Sequence, residues 1–158
     1  MEHTLEVLRG ELGSMFASTI EGLVLAAILG GLIGLEREIH HKAAGLRTNM
    51  LICFGAAMFT ILSNELAGRF GGDHVRIAAQ IIPGIGFIGA GTILRERGSI
   101  MGLTSAATIF AAAAVGMAAG GGLYVTATFG TVVILVALTL FAKLEERFEK
   151  WRQKQSKS

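Results

Sequence analysis

Long uncharged stretches alternate with short charged ones along this chain. Residues 77–94, IAAQIIPGIGFIGAGTIL, contain no Asp, Glu, Lys, Arg or His. As one helix they span about 27 Å, close to the hydrocarbon thickness of a bilayer. The same pattern predicts a span over about 15–35, whose one charge is Glu21, and another over about 48–67, uncharged from Thr48 to Asn64. Residues 98–142 form a 45-residue run without charge or histidine. A single helix of that length would be about 68 Å long, so the run must fold back. Gly120-Gly121-Gly122 is the natural turn, with spans near 101–119 and 123–142 on either side. The expected fold is therefore all-α: a polytopic membrane domain of five transmembrane helices over 15–142. The apolar runs are continuous rather than alternating, which argues against a β-barrel. Residues 1–14 carry Leu5, Leu8 and Leu12 at helical spacing and predict a short amphipathic segment. Residues 143–158 predict a basic amphipathic tail, with Leu144, Phe148 and Trp151 on one face.

Charge sets the expected orientation. Five spans put the termini on opposite sides of the membrane. With the connector holding Arg37, Lys42 and Arg47 inside, eleven of the fourteen Lys and Arg residues are cytoplasmic. The positive-inside rule then predicts an external N-terminus and a cytoplasmic C-terminus. Composition agrees with a membrane solvent: 16% of residues are charged, against about 25% in soluble domains. The 22 glycines lie inside apolar runs, as close helix packing in lipid requires. Cys53 stands alone, so no internal disulfide forms. No basic region precedes an early apolar stretch, which argues against a secretory signal peptide. No nucleophile–base pair, Walker loop or zinc motif is present, and no soluble basic domain suggests nucleic acid. An enzyme is not expected.

The glycines fall in two groups. Gly30 and Gly34 form a GxxxG ridge for a neighbouring helix. Residues 84–89 spell GxGxxG, but a dinucleotide fingerprint needs a preceding strand, a following amphipathic helix and an acidic residue about 20 positions on. Here both flanks are apolar, and 108–123 holds no carboxylate. Gly84, Gly86, Gly89 and Gly91 are expected to pack against neighbouring helices, and Pro83-Gly84 to break the third span at mid-depth.

The polar candidates cluster at span ends. Glu36, Arg37 and Arg47 lie at the cytoplasmic ends of the first two spans, and Arg95 at that of the third. One reading is interfacial anchoring plus a salt bridge that fixes helix register. The other is a small polar site, with a cation at Glu36 or a phosphate or lipid head at the arginines. Glu21 lies about 22 Å along the helix from Glu36. Pairing with Arg76 would explain it structurally, and an ion or proton pathway is the sharper alternative. On the second span Asn49, Cys53, Thr60 and Asn64 share a stripe beside Ala56 and Ala57, with Arg47 and Glu65 at the two ends. Such residues line a path or hydrogen-bond between helices. His40 and His41 with Glu36 make a thin ligand set, and magnesium prefers oxygen to imidazole. No cofactor is expected beyond Mg2+ as a candidate ion at Glu36.

Several ordered blocks carry a resemblance: Gly31-Leu32-Ile33-Gly34-Leu35-Glu36-Arg37-Glu38, Lys42-Ala43-Ala44-Gly45-Leu46-Arg47-Thr48-Asn49, the run from Gly84 to Leu94, and Gly102-Leu103-Thr104-Ser105-Ala106-Ala107-Thr108. Over about residues 20–122 the chain resembles the MgtC/SapB family of bacterial inner-membrane proteins. The resemblance implies a multi-pass inner-membrane domain whose relatives are associated with growth under low magnesium and survival inside host cells. It falls on Glu36, Arg37, Arg47 and Asn49. Pro83 stands where a small polar residue is expected, and Met101 where some members are basic. Longer members add a soluble C-terminal domain, so a short form lacking it is expected here. Two functions follow as expectations. The first is a regulatory or accessory protein linked to magnesium limitation and stress, acting on other inner-membrane proteins through its glycine-rich faces. The alternative is a small transporter or channel for Mg2+ or another solute, using Glu21, the 49–64 stripe and Glu36. A homodimer, with Gly30/Gly34 as a candidate contact, would enclose such a route.

Overall fold

The computed structural model describes the backbone of residues 2–96 and 99–155, and the side chains of 17–94, 100–142, 144 and 147. Six helices and one short hairpin follow each other: α1 (Glu2–Ile39), α2 (Leu46–Phe70), α3 (Arg76–Ala79), α4 (Ile81–Gly91), β1 (Leu94–Glu96), β2 (Ser99–Met101), α5 (Leu103–Gly120) and α6 (Tyr124–Gln155). Among the described residues four helices are long and apolar enough to cross a membrane: Ala17–Ile39, Leu46–Phe70, Leu103–Gly120 and Tyr124–Ala142. The expected polar segment 1–14 continues into the first span, because α1 runs unbroken from Glu2. The side chains of that segment, like most of the basic tail, lie outside the described residues.

Glycine decides how the helices meet. A methyl group at Gly30 would stand 2.7 Å from the Asn49 backbone oxygen, and one at Gly34 would stand 2.7 Å from Leu46 Cα. On α5, a methyl at Gly116 would overlap the Cys53 carbonyl, and one at Gly120 would stand 2.7 Å from Ala57 Cα. Two GxxxG ridges therefore clasp α2 from two sides, one from α1 and one from α5. The core they enclose is small: Ala26, Leu29 and Ile33 meet Cys53, Ala57, Ala112, Val115 and Ala119. Gly30 and Gly34, the candidate dimer contact, thus pack within the chain. The Tyr124–Ala142 part of α6 lies outside this trio and is mostly exposed, as its Val- and Leu-rich composition anticipates. Its Tyr124 hydroxyl donates to the Ser18 carbonyl at 3.1 Å, tying it to the N-terminal half of α1.

These contacts also give direction. Gly30 meets Asn49 and Cys53 while Gly34 meets Leu46, so α1 and α2 are antiparallel. Gly116 meets Cys53 while Gly120 meets Ala57, so α2 and α5 are parallel. The stretch between them must carry the chain back along the bundle.

That stretch departs from the expected single span over 77–94. It is two helices, α3 and α4, meeting at Gln80. Pro83 has no N–H to give the Ala79 carbonyl, so the helix ladder fails one turn earlier than the Pro-Gly pair itself. Pro83 then sits in the first turn of α4, where a missing donor costs little. The 16 residues 76–91 reach about 24 Å, short of the roughly 30 Å hydrocarbon core. Pro83→Ala supplies the donor and should fuse α3 and α4. Slower amide exchange over 80–84 checks this; unchanged exchange would place the break elsewhere.

The charged turn after α4 is an antiparallel hairpin, with Leu94 opposite Met101 and Glu96 opposite Ser99. It is the one departure from an all-helical chain among the described residues. Gly102 links it to α5 at φ 89°, with its Cα face against the Thr92 carbonyl, so a side chain there would be both strained and blocked.

Candidate functional site

One end of the bundle, where α1 stops and α2 begins, holds the buried charged residues Glu36 and Arg37 together with buried Asn49. The last turn of α1 holds Glu36 at 8% and Arg37 at 2% exposure. Neighbouring side chains on a helix point about 100° apart and do not normally meet. Here Arg37 folds back so that Nε and Nη2 donate to the two Glu36 carboxylate oxygens, the second at 2.8 Å. The result is a bidentate, charge-neutral unit held inside protein. His40 Nδ1 lies 2.8 Å from the Glu36 carbonyl and 3.2 Å from its carboxylate. The loop then turns through His41, at φ 51°.

Asn49 is fully buried under that loop. Its Nδ2 donates to the carbonyls of Ala44 at 2.8 Å and Gly45 at 3.0 Å, which fixes the entry to α2. Its Oδ1 has no hydrogen-bond partner among the described residues. Glu38 completes the corner: its carboxylate accepts from the Leu46 N–H at 3.1 Å, capping α2 where no N-cap side chain does so. Glu38 was not singled out from sequence; an acid just ahead of a helix start is the signal that points to it.

The other expected site residues are dispersed. Arg47 is exposed, with no ion pair among the described residues. Arg95 lies in β1 with its side chain outside the described residues. Glu21 is exposed on α1, and neither it nor Arg76 is ion-paired among the described residues, so their expected pairing does not form. Glu65 is half-buried at the opposite end and faces Arg69 at 3.7 Å. Asn49, Cys53 and Thr60 are buried, but Asn64 is exposed and Ser63 takes its place. The buried face follows 49, 53, 56, 60, 63 and 67, a 3.5-residue repeat that keeps a seam against neighbouring helices. Ser63 donates to the His74 carbonyl at 2.6 Å. Thr60 and Thr108 donate to carbonyls four residues back in their own helices, at 2.8 Å each.

The glycine expectation divides as well. Gly89 packs against Ala106. A methyl group at Gly84, Gly86 or Gly91 would meet nothing within 4 Å among the described residues, and all three are exposed rather than packed. Residues 81–91 are helical, not a strand–turn–helix, in keeping with the rejected nucleotide reading. Gly116 and Gly120 were not paired from sequence, although their GxxxG spacing carries the signal. No group of three or more His, Cys, Asp or Glu suited to a metal occurs among the described residues, and His40 and His41 of the thin Glu36–His40–His41 set are both exposed.

Residues 23–147 match the model of the MgtC family. The chain is 47% identical over 139 residues to the "Putative magnesium transporter YhiD" of Escherichia coli K12, covering 84% of this chain and 65% of that protein. It is 44% identical over 133 residues to Protein MgtC of Brucella abortus, covering 84% and 55%. It is 43% identical over 128 residues to Protein MgtC of Salmonella typhimurium, covering 81% and 54%. The chain thus spans between about half and two thirds of the length of these relatives. No solved structure matches it. With a family model matched across most of its length, the chain belongs to the MgtC family.

Proposed function

We propose that this protein is a regulatory or accessory protein of the bacterial inner membrane, linked to magnesium limitation and acting on other membrane proteins. In this reading the chain crosses five times, the third time by the broken pair α3–α4. The end bearing Glu36 and Arg47 faces the cytoplasm, and the N-terminus lies outside. The parallel course of α2 and α5 supports the return crossing, and the distribution of Lys and Arg supports the orientation.

The observation that carries the regulatory reading is the backbone-to-backbone packing of α1 and α5 on α2. Asn49 and Cys53 of the stripe that would line a route are pressed against Gly30 and Gly116, and Glu36 is closed off by Arg37. Such a centre is a scaffold that presents its outer faces to partners. The transport reading draws on the name of the Escherichia coli relative. A route would then have to run outside the central trio.

Flux separates the two. The protein is placed in liposomes with a magnesium-sensitive dye inside, beside Glu36→Gln as control. The expected result is no saturable entry from protein shown to be folded, with crosslinking in cells capturing membrane-protein partners. Saturable entry lost in Glu36→Gln would overturn the regulatory reading and make the charged helix ends a pathway.

A further inference from the structure

A groove of about 440 Å³ runs along the outer surface between α2 and the α3–α4 pair. That volume lies in the range of sites that hold small molecules, roughly 300–1,000 Å³. Leu51, Gly55 and Phe59 form one wall. Ile81, Ile85 and Ile88 form the other, and Gln80 at the helix break is the one polar lining residue. The groove exists because both walls carry a glycine: a methyl group at Gly55 or Gly84 would meet nothing within 4 Å.

Two features identify its occupant. The first is length. Its α2 wall, from Leu51 to Phe59, rises about 12 Å, within the roughly 15 Å of one leaflet's hydrocarbon. A partner's transmembrane helix would need a groove through both leaflets. The second is charge. Arg47 lies four residues before Leu51, on the same face of α2, one turn beyond the groove's end. It is exposed and has no ion pair among the described residues, and long side chains on a helix tend to lean toward its N-terminus, here the end beyond the groove. A cation at the mouth of an apolar groove one leaflet deep matches a single phospholipid.

We infer that this groove is a binding site for one anionic glycerophospholipid of the leaflet at the Arg47 end. An acyl chain lies along Gly55 and Gly84, and the phosphate meets the Arg47 guanidinium. Basic positions at the ends of grooves between membrane helices recognise anionic head groups in this way. The site is separate from the Glu36–Arg37 pair and does not depend on which function above holds.

The test uses the full chain reconstituted in vesicles of equal phosphatidylglycerol and phosphatidylethanolamine, extracted in mild detergent and weighed intact by native mass spectrometry. One retained phospholipid is expected, with phosphatidylglycerol favoured roughly fivefold, from about 1 kcal/mol per basic residue near the surface. Arg47→Gln should keep the lipid and lose the preference. Gly55→Leu should lose the lipid of either head group, because leucine fills the groove without a backbone clash and favours helix. Gly84→Leu repeats that test from the other wall, and unchanged circular dichroism shows that each variant folds. Retention unchanged in both leucine variants overturns the site. A preference that survives Arg47→Gln overturns the head-group assignment. A dimer peak that vanishes with Gly55→Leu would overturn it in favour of a second copy.

Discussion

Gly116→Leu is expected to unfold or misassemble the bundle, while Gly55→Leu leaves it standing. Both replace a glycine inside an uncharged stretch of helix, and both gain helix propensity, about 1 kcal/mol per site. They differ in what the new side chain meets. At Gly116 even the Cβ overlaps the Cys53 carbonyl, with Ala56 Cβ 3.0 Å away. Those atoms belong to a helix backbone and its shortest side chain, so α2 and α5 must move apart. Separation also withdraws contacts around Ala57, Ala112 and Ala119, which are almost fully buried. In lipid no hydrophobic effect drives helices together, so lost packing is not replaced. A cost of about 3 kcal/mol or more is expected, the upper range for overpacking. Thermal unfolding in detergent, read by intrinsic fluorescence and size-exclusion profile, checks it. Equal midpoints for the two variants would mean that α5 does not clasp α2 as described.

Arg37→Gln is the second large effect. Glu36 and Arg37 are both enclosed by protein and neutralise each other. Removing one partner of such a pair leaves a buried charge uncompensated, at about 3–5 kcal/mol. For a domain of this size that corresponds to a midpoint lower by on the order of 10 °C. The double variant Glu36→Gln/Arg37→Gln removes both charges and should recover most of the loss. Additive losses in the double variant would mean that each residue has its own partner and that the pair is not a unit.

Much of the architecture was legible because it is a local property of the chain. Whether a run of twenty residues tolerates a bilayer depends on its own side chains, so the apolar runs that became α1, α2, α5 and α6 appear directly in the pattern. The turn at Gly120-Gly121-Gly122 follows from length alone. The third stretch was less legible. It was recognised as apolar, but Pro83 acts on the hydrogen bond to Ala79, so the break fell at Gln80. The following residues paired as a hairpin through contacts that pattern does not record.

The candidate site divides the same way. Charged residues at helix ends stand out in an uncharged chain, which brought Glu36, Arg37, Arg47 and Arg95 forward. Only tertiary structure decided that Arg37 turns onto its neighbour, that Asn49 is sealed beneath the loop while Asn64 is not, and that Glu38 caps α2. By itself the sequence determined the solvent, the main apolar segments and the presence of close-packing glycines, since each depends on composition within one segment. The fold decided which glycines pack. Gly30, Gly34, Gly116 and Gly120 all meet α2, while Gly84, Gly86 and Gly91 stay open. A glycine removes an obstacle but carries no attraction of its own, so its partner is set by which helix lies opposite.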